Sequence, residues 1–227
     1  MKKAFITTSI LLLSSIFVLA QKPVQGDLAT EAQFNLSTLN DNFGLSSLRF
    51  RYFLSDNMVA RLDLSINSTS ATSNFKEFPD GTGTAGSYMA KASGFGVGLG
   101  IENHFSGNNR FSPFVGAQLG FSSGSFSTEG SNSDGSTYMA NYSSTSSMKV
   151  SSFGIAALLG ADYWVGNSFY LGTQLGFGFT AATVGDEEMT VTSGTTPSTS
   201  TTVTPGGKVS TLGEFINPSF RVGFLLK

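Results

Sequence analysis

The chain has 227 residues and a formal net charge of −2, and only 12% of its residues are charged, about half the share of an ordinary soluble domain. This balance excludes a basic nucleic-acid-binding surface, and the absence of cysteine excludes a disulfide framework or lipidation at a cysteine. The 27 glycines and 21 phenylalanines favour strands, turns and a surface that is not everywhere in water.

The first 20 residues have the layout of a secretory signal peptide. Lys2 and Lys3 precede an apolar run over residues 10–19, and the small residue Ala20 suits cleavage before Gln21. The run is shorter than the roughly 20 apolar residues of a membrane-spanning helix, which argues against an N-terminal anchor. We therefore expect residues 1–20 to be removed on export and residues 21–227, with 11 basic and 15 acidic residues, to form one domain.

Alternation of apolar and polar residues with a period of two recurs along the mature chain and predicts eight strands. In each strand one face is apolar, and the other carries glycine, glutamine or charged residues. The predicted strands are residues 28–36, the two halves of residues 48–64 around Ser55-Asp56-Asn57, and residues 94–102, 111–121, 153–163, 169–179 and 218–227.

The connections between these strands alternate in length. Short links at Asp56-Asn57, residues 103–110 and residues 165–168 alternate with long Ser/Thr-rich links over residues 67–91, 122–149 and 184–209, although the first link is also short. Short turns at one end and long loops at the other are typical of an outer-membrane barrel. The long links are either mobile low-complexity loops or, in Thr-rich stretches such as "TVTSGTTPSTSTTVT", extensions of the strands.

Charged residues on the polar faces are predicted to point into the lumen of this barrel. They are Glu31, Arg49, Arg51, Arg61, Asp63, Glu102, Asp162 and Arg221. The four acids and four arginines balance, and most lie within about four to eight residues of the short-turn end, so they share one layer. Because an unpaired charge away from water is costly, we predict an ion-pair network that plugs the lumen. The alternative is a small water cavity that solvates each charge.

Aromatic residues on the apolar faces predict a girdle at the lipid headgroups of the short-turn end. They are Tyr52, Phe111, Tyr163, Phe169 and Phe224. The inward glycines suit the narrow lumen of an eight-stranded barrel. A soluble secreted β-sandwich is the structural alternative, but it would need a second wet face, whereas one face of every predicted strand is apolar.

The segments "LRFRYFLSDNMVARLDL", "SPFVGAQLGF" and "FRVGFLLK" resemble small outer-membrane proteins of the outer-membrane-protein-A and outer-membrane-protein-X type. The resemblance covers residues 21–227 and implies an all-β, eight-stranded antiparallel up-and-down transmembrane barrel in the outer membrane of a Gram-negative cell. It also implies a monomer without cofactors, surrounded by lipid and lipopolysaccharide and inserted by the barrel assembly machinery through its C-terminal strand.

Candidate chemistry is sparse. "GFGVGLG" has the period of a strand and lacks the spacing of a dinucleotide-binding loop. His104, expected in a periplasmic turn, would have to serve any serine triad, with Ser106 or Ser112 as nucleophile and Glu102 as the acid. Asp186, Glu187 and Glu188 could hold a divalent cation, although a solvated acidic loop is the simpler expectation. We predict no catalytic, cofactor or metal site.

The function expected from these features is structural or interactive. The Ser/Thr-rich outer loops would contact an extracellular ligand, in adhesion or envelope integrity, around a plugged lumen. The alternative is a narrow porin-like channel for ions or small solutes. A barrel hydrolase acting on lipids or peptides is a remote third candidate.

Overall fold

The computed structural model describes residues 22–35, 45–105, 107–108 and 110–226, and these residues form ten strands. The strands are β1 (Leu28–Asn35), β2 (Leu45–Phe53), β3 (Met58–Lys76), β4 (Ala85–His104), β5 (Phe111–Ser133), β6 (Tyr138–Trp164), β7 (Phe169–Val184), β8 (Glu187–Ser193), β9 (Ser198–Thr204) and β10 (Gly207–Leu226). The predicted signal peptide lies outside the described residues. In the described ranges, no helix has the length and hydropathy needed to cross a membrane.

Eight of these strands close into a ring. Each of β1 to β6 pairs antiparallel with the next strand, and β10 joins β7 to β1. The first and last strands meet in register, with Glu31 opposite Gly223. The predicted eight-stranded antiparallel up-and-down barrel is thus confirmed. A β-sandwich is excluded because its two sheets would keep open edges, whereas this ring has none.

The Thr-rich connection between β7 and β10 folds into a hairpin that the count of eight strands omitted. β8 pairs with the outer part of β6, and β9 pairs with β8. Threonine hydroxyls meet across this hairpin, Thr190 with Thr201 at 3.1 Å and Thr192 with Thr199 at 2.9 Å. β-Branched threonine suits a pleated strand, which explains why this low-complexity stretch is ordered.

The other long connections are also mainly strand. Only residues 77–84 separate β3 from β4, and only residues 134–137 separate β5 from β6. At the second turn, Asp134 accepts hydrogen bonds from the backbone N–H groups of Ser136 and Thr137, both at 2.9 Å. These bonds hold the pKa of the Asp134 carboxyl below its ordinary value. Of the two interpretations of the long links, the strand extensions are therefore the correct one.

The polarity of the outer surface changes at one level of the barrel. On β5 the outward positions from Phe111 to Phe121 are apolar, and the next outward positions are serines at 123, 125 and 127. Phe95 on β4 and Phe153 on β6 mark the same change on the neighbouring strands. Ten residues span roughly 33 Å of strand, or about 25 Å of height at the usual tilt, which matches the apolar band of an outer-membrane barrel.

Large side chains in the lumen lie over glycines on the neighbouring strand. A Cβ atom added to Gly223 would lie 2.0 Å from Cζ of Tyr170, and one added to Gly160 would lie 2.4 Å from Cζ of Phe114. Residue 223 is paired with Tyr170, and residue 160 with Phe114. The inward glycines therefore make the space that the bulky residues of the same layer fill.

Replacing Gly223 by alanine is expected to destabilise the barrel by about 1–3 kcal/mol, the usual cost of overpacking. The new methyl group would displace Tyr170, whose hydroxyl donates to Glu31. Gly120 is the matched control, because a Cβ added there meets no atom within 4 Å. The urea midpoint of refolded protein measures both variants. Equal midpoints for Gly223→Ala and Gly120→Ala would contradict the packing argument.

Candidate functional site

The eight charged residues predicted to face inward are all buried, none more than 6% exposed. Their positions follow from strand pairing, because the inward face of each strand is set by the closed ring. On β1, β2 and β3, Glu31 lies opposite Arg49, and Arg49 lies opposite Asp63. β2 and β3 also carry Arg51 and Arg61, and β4, β6 and β10 carry one member each, so the cluster crosses the lumen and joins six of the eight strands of the ring.

Two of the arginines, Arg49 and Arg61, bond carboxylates on β1, β3 and β4. Arg49 bonds Glu31 at 2.8 Å through Nη1 and Asp63 at 2.5 Å through Nε. Arg61 reaches the other oxygen of Asp63 at 3.2 Å and bonds Glu102 at 2.9 Å. Asp63 therefore joins Arg49 on β2 to Arg61 on β3, one carboxylate oxygen to each.

The other two arginines, Arg51 and Arg221, share the carboxylate of Asp162. Arg51 bonds Asp162 at 2.8 Å and also bonds Glu102. Arg221 bonds the second oxygen of Asp162, and its Nη1 lies 3.6 Å from both Glu31 and Glu102. Asp162 on β6 thus meets Arg51 from β2, and Glu102 on β4 lies near Arg221 from β10, in each case across the lumen.

Two of the arginines are direct neighbours in the sheet. Arg51 lies opposite Arg61, an arrangement that is destabilising when nothing intervenes. Glu102 lies between them and accepts from both guanidinium groups. Four guanidinium and four carboxylate groups sum to zero charge, which is the arrangement that a low-dielectric interior tolerates best.

Glutamine side chains cover the outer side of the charged cluster. The Gln174 carbonyl oxygen accepts from Arg49 at 3.2 Å and from Arg61 at 2.9 Å, and the Gln118 carbonyl oxygen accepts from Arg61 at 2.7 Å. The remaining donors of Arg61 are therefore occupied without adding charge.

An apolar cluster closes the lumen at the short-turn end, and the sequence analysis missed it. Its buried members are Ala29, Phe53, Val59, Trp164, Tyr170 and Leu225. The rings of Trp164 and Tyr170 are 4.5 Å apart, and the Tyr170 hydroxyl donates to Glu31 at 2.9 Å. The signal available in the sequence was the alternation of faces along each strand. Phe53 follows Arg51 by two residues and Trp164 follows Asp162 by two, which places each ring on the inward face.

His104 was expected in a periplasmic turn, and this expectation is wrong. It is the last residue of β4, and only 7% of it is exposed. Its Nδ1 lies 2.9 Å from the Ser112 hydroxyl, and its Nε2 lies 3.2 Å from Glu102 and 2.9 Å from Nη2 of Arg51. The pairing of β4 with β5 extends to this residue. Because faces alternate along a strand, His104 shares the inward face of Glu102.

Ser112, His104 and Glu102 are therefore in contact, as a hydrolytic triad requires. Ser112 is only 5% exposed, which leaves almost no access for a substrate carbonyl. Glu102 already accepts from two arginines. The other candidate nucleophile, Ser106, lies outside the described residues. The three residues thus form a buried cluster with little access for a substrate.

The acidic run after β7 does not converge on a cation site. Asp186 accepts from the backbone N–H of Gly206 at 2.8 Å, and Glu187 accepts from the Ser146 hydroxyl at 2.5 Å. No group of three or more possible ligands occurs among the residues that the structure describes.

The residues predicted for an aromatic girdle lie at the short-turn end on the outward face. Tyr52, Phe111, Tyr163 and Phe224 are between 43% and 50% exposed. Phe169 is half-buried because its ring packs against Phe224 with centroids 5.1 Å apart. Contact of these rings with lipid headgroups stays a prediction.

The outer half of the lumen contains an open cavity of about 380 Å³ above the charged cluster. Small and polar residues line most of it, including Ser65, Gln118, Ser122, Ser152, Gln174 and Thr180. Arg49 and Asp63 form part of its floor, already paired with each other. The lumen therefore has a filled half at the short-turn end and a hollow, polar half at the outer end.

The match to a protein family agrees with this architecture. The family model described as "Putative OmpA-OmpF-like porin family" matches residues 32–180. The crystal structure of outer membrane protease OmpT from Escherichia coli is similar, with 9% identity, a TM-score of 0.38, and coverage of 88% of this chain and 90% of that one.

The crystal structure of Acinetobacter baumannii CarO is also similar, with 11% identity, a TM-score of 0.34, and coverage of 91% and 99%. Comparison with curated proteins returns no match. Since both TM-scores are below 0.5, the architecture is established by the closed ring of strands and the family match. This chain is an outer-membrane β-barrel protein and belongs to the OmpA-OmpF-like porin family.

Proposed function

We propose that the protein is a closed structural barrel that anchors an extracellular β-sheet for contacts with the cell's surroundings. The observation that carries this proposal is the filled half of the lumen. The four arginines are paired with carboxylates at 3.2 Å or less, and the aromatic rings below them are buried. A continuous water path would have to break several of these contacts at once.

The extracellular sheet supports the interactive part of the proposal. β3, β4, β5 and β6 extend past the outer edge of the apolar band, and the β8–β9 hairpin widens the sheet they form. All seven residues of β9 are exposed. Its outward threonines carry hydroxyl groups and no charge, so the sheet suits adhesion to polar, uncharged surfaces better than electrostatic capture.

A narrow channel is the second candidate, and one observation favours it. The cavity of about 380 Å³ occupies the outer half of the lumen, so only the charged cluster and the apolar cluster would have to move to open a path. In a closed barrel these two clusters stay in place in the membrane, whereas in a channel they move apart and open a path.

Single-channel recording of the refolded residues 21–227 in a planar bilayer is the test. A gel shift between unheated and boiled samples first establishes that the barrel has folded. We expect no stable openings, because the lumen is filled by paired charges and aromatic rings. Uniform, long-lived openings of the unmodified protein would overturn the closed-barrel proposal and make Arg49, Arg51, Arg61 and Arg221 candidates for ion selectivity.

A further inference from the structure

The inner wall of the extracellular sheet carries an apolar patch. Phe126 on β5 lies opposite Met148 on β6 and Ala92 on β4. The ladder of β5 with β6 is unbroken from residue 112 to Phe126, and the ladder with β4 is unbroken from residue 114, so Phe126 shares the inward face of Ser112. Met189 on β8 is opposite Ser146, which places it on this wall too. We call Phe126, Met148, Met189 and Ala92 the inner patch.

The inner patch reverses the polarity of the transmembrane part. Within the apolar band the outward face is apolar and the inward face is polar, whereas just above the band the outward positions of β5 and β6 are polar, as at Ser125, Ser127 and Lys149. Phe126 and Met189 are each 39% exposed. They cannot be lipid-facing, because they lie on the inward face above the band. Exposed apolar surface in such a place marks a binding surface.

The inner patch adjoins the polar cavity. Ser122 and Ser152, which line the cavity, are hydrogen-bonded to each other at 2.7 Å across β5 and β6. Phe126 follows Ser122 by four residues on the same face, about 13 Å along the strand. A molecule of modest length in the mouth of the barrel would therefore touch both surfaces.

The cavity suits a neutral, hydroxylated group. Its charged floor residues, Arg49 and Asp63, are paired with each other. Gln118 and Gln174 use their carbonyl oxygens on arginines, which leaves their amide NH₂ groups as donors toward the cavity. Serine and threonine hydroxyls supply both donors and acceptors. A volume of about 380 Å³ is within the roughly 300–1,000 Å³ of small-molecule sites.

We propose that the mouth of the barrel binds a small uncharged amphipath. Its hydroxylated head occupies the polar cavity, and its hydrocarbon chain lies on the inner patch. The filled half of the lumen below stops the ligand from passing through, so the site holds a molecule taken from the outside. This binding site is additional to the structural role, and its test does not depend on whether the lumen conducts.

The test uses methyl NMR of the barrel in lipid nanodiscs, with methionine methyl groups labelled with carbon-13. n-Hexyl-β-D-glucoside is the probe, with glucose and hexanol as its separate halves. We expect the methyl resonances of Met148 and Met189 to shift as the probe is added and to reach saturation. The resonance of Met58, which faces outward at the short-turn end, should show no saturable shift. Butyl glucoside should bind about tenfold more weakly, since two methylenes leave the patch.

Phe126→Ser is expected to weaken binding at least tenfold, whereas Val203→Ser, on the outward face of β9, is the matched control and should bind normally. The gel shift shows whether each variant has folded, and the butyl-to-hexyl comparison tests the patch without any substitution. If the shifts rise without saturating, and are as large at Met58 as at Met148 and Met189, the probe only partitions into lipid and the proposal is overturned. Hexanol binding as tightly as hexyl glucoside would overturn the role of the cavity.

Discussion

Replacing Arg51 by alanine is expected to lower the free energy of unfolding by about 3–5 kcal/mol, the usual cost of breaking a buried ion pair by removing one partner. Arg51 bonds Glu102 and Asp162 and contacts His104, and its guanidinium carbon lies 5.4 Å from the Tyr170 ring centroid. Its loss leaves two buried carboxylates short of a partner and empties the centre of the cluster. Urea titration of the refolded barrel, with the gel shift as the readout of folding, measures the change in the free energy of unfolding.

The same variant tests whether the charged cluster blocks the lumen. We expect Arg51→Ala to raise the bilayer conductance above that of the unmodified barrel, which we expect to be silent. Lys91→Ala, which removes an exposed cation from the outward face of β4, is the control and should change neither stability nor conductance. If Arg51→Ala leaves both quantities unchanged, the charged cluster is not a plug.

Replacing Leu99 by arginine is expected to cost about 2–4 kcal/mol, the range for a cation on the lipid face at the bilayer midplane. Leu99 faces outward on β4, is 59% exposed, and lies between Val97 and Ile101 in the apolar band. The guanidinium group would have to leave water for the hydrocarbon core, and no inward carboxylate can reach it through the sheet. Folding free energies measured in lipid vesicles check the value.

Ser93→Arg is the matched control for the lipid-face experiment. Residue 93 is on the same outward face of β4, six residues along and past Phe95, where the outer surface turns polar. We expect a cost of about 0–1 kcal/mol there, as for a cation near the interface. A similar cost at both positions would contradict the assignment of the bilayer edge to the level of Phe95, Phe121 and Phe153.

Most of the lumen could be predicted from local sequence because strand residues alternate strictly between two faces. Glu31, Arg51 and Asp162 could be placed inside from their neighbours alone, without any knowledge of the pairing. The same rule would have placed Phe53 and Trp164 inside, but these rings look like lipid-facing residues when only hydropathy is considered. The alternation of faces along the strand was the better guide to the inward residues, since hydropathy cannot distinguish a buried ring from a lipid-facing one.

The sequence by itself determined the barrel, the number of strands in its ring and the set of inward charges, because a period of two needs only neighbouring residues. The tertiary structure alone decided which charges meet, as when Arg51 from β2 reaches Asp162 on β6. It also decided that His104 joins them, that the Thr-rich link forms a hairpin on β6, and that Phe126 lines the mouth. These outcomes depend on strand register and on how far each ladder continues, and register is set by contacts between residues that are distant in the chain.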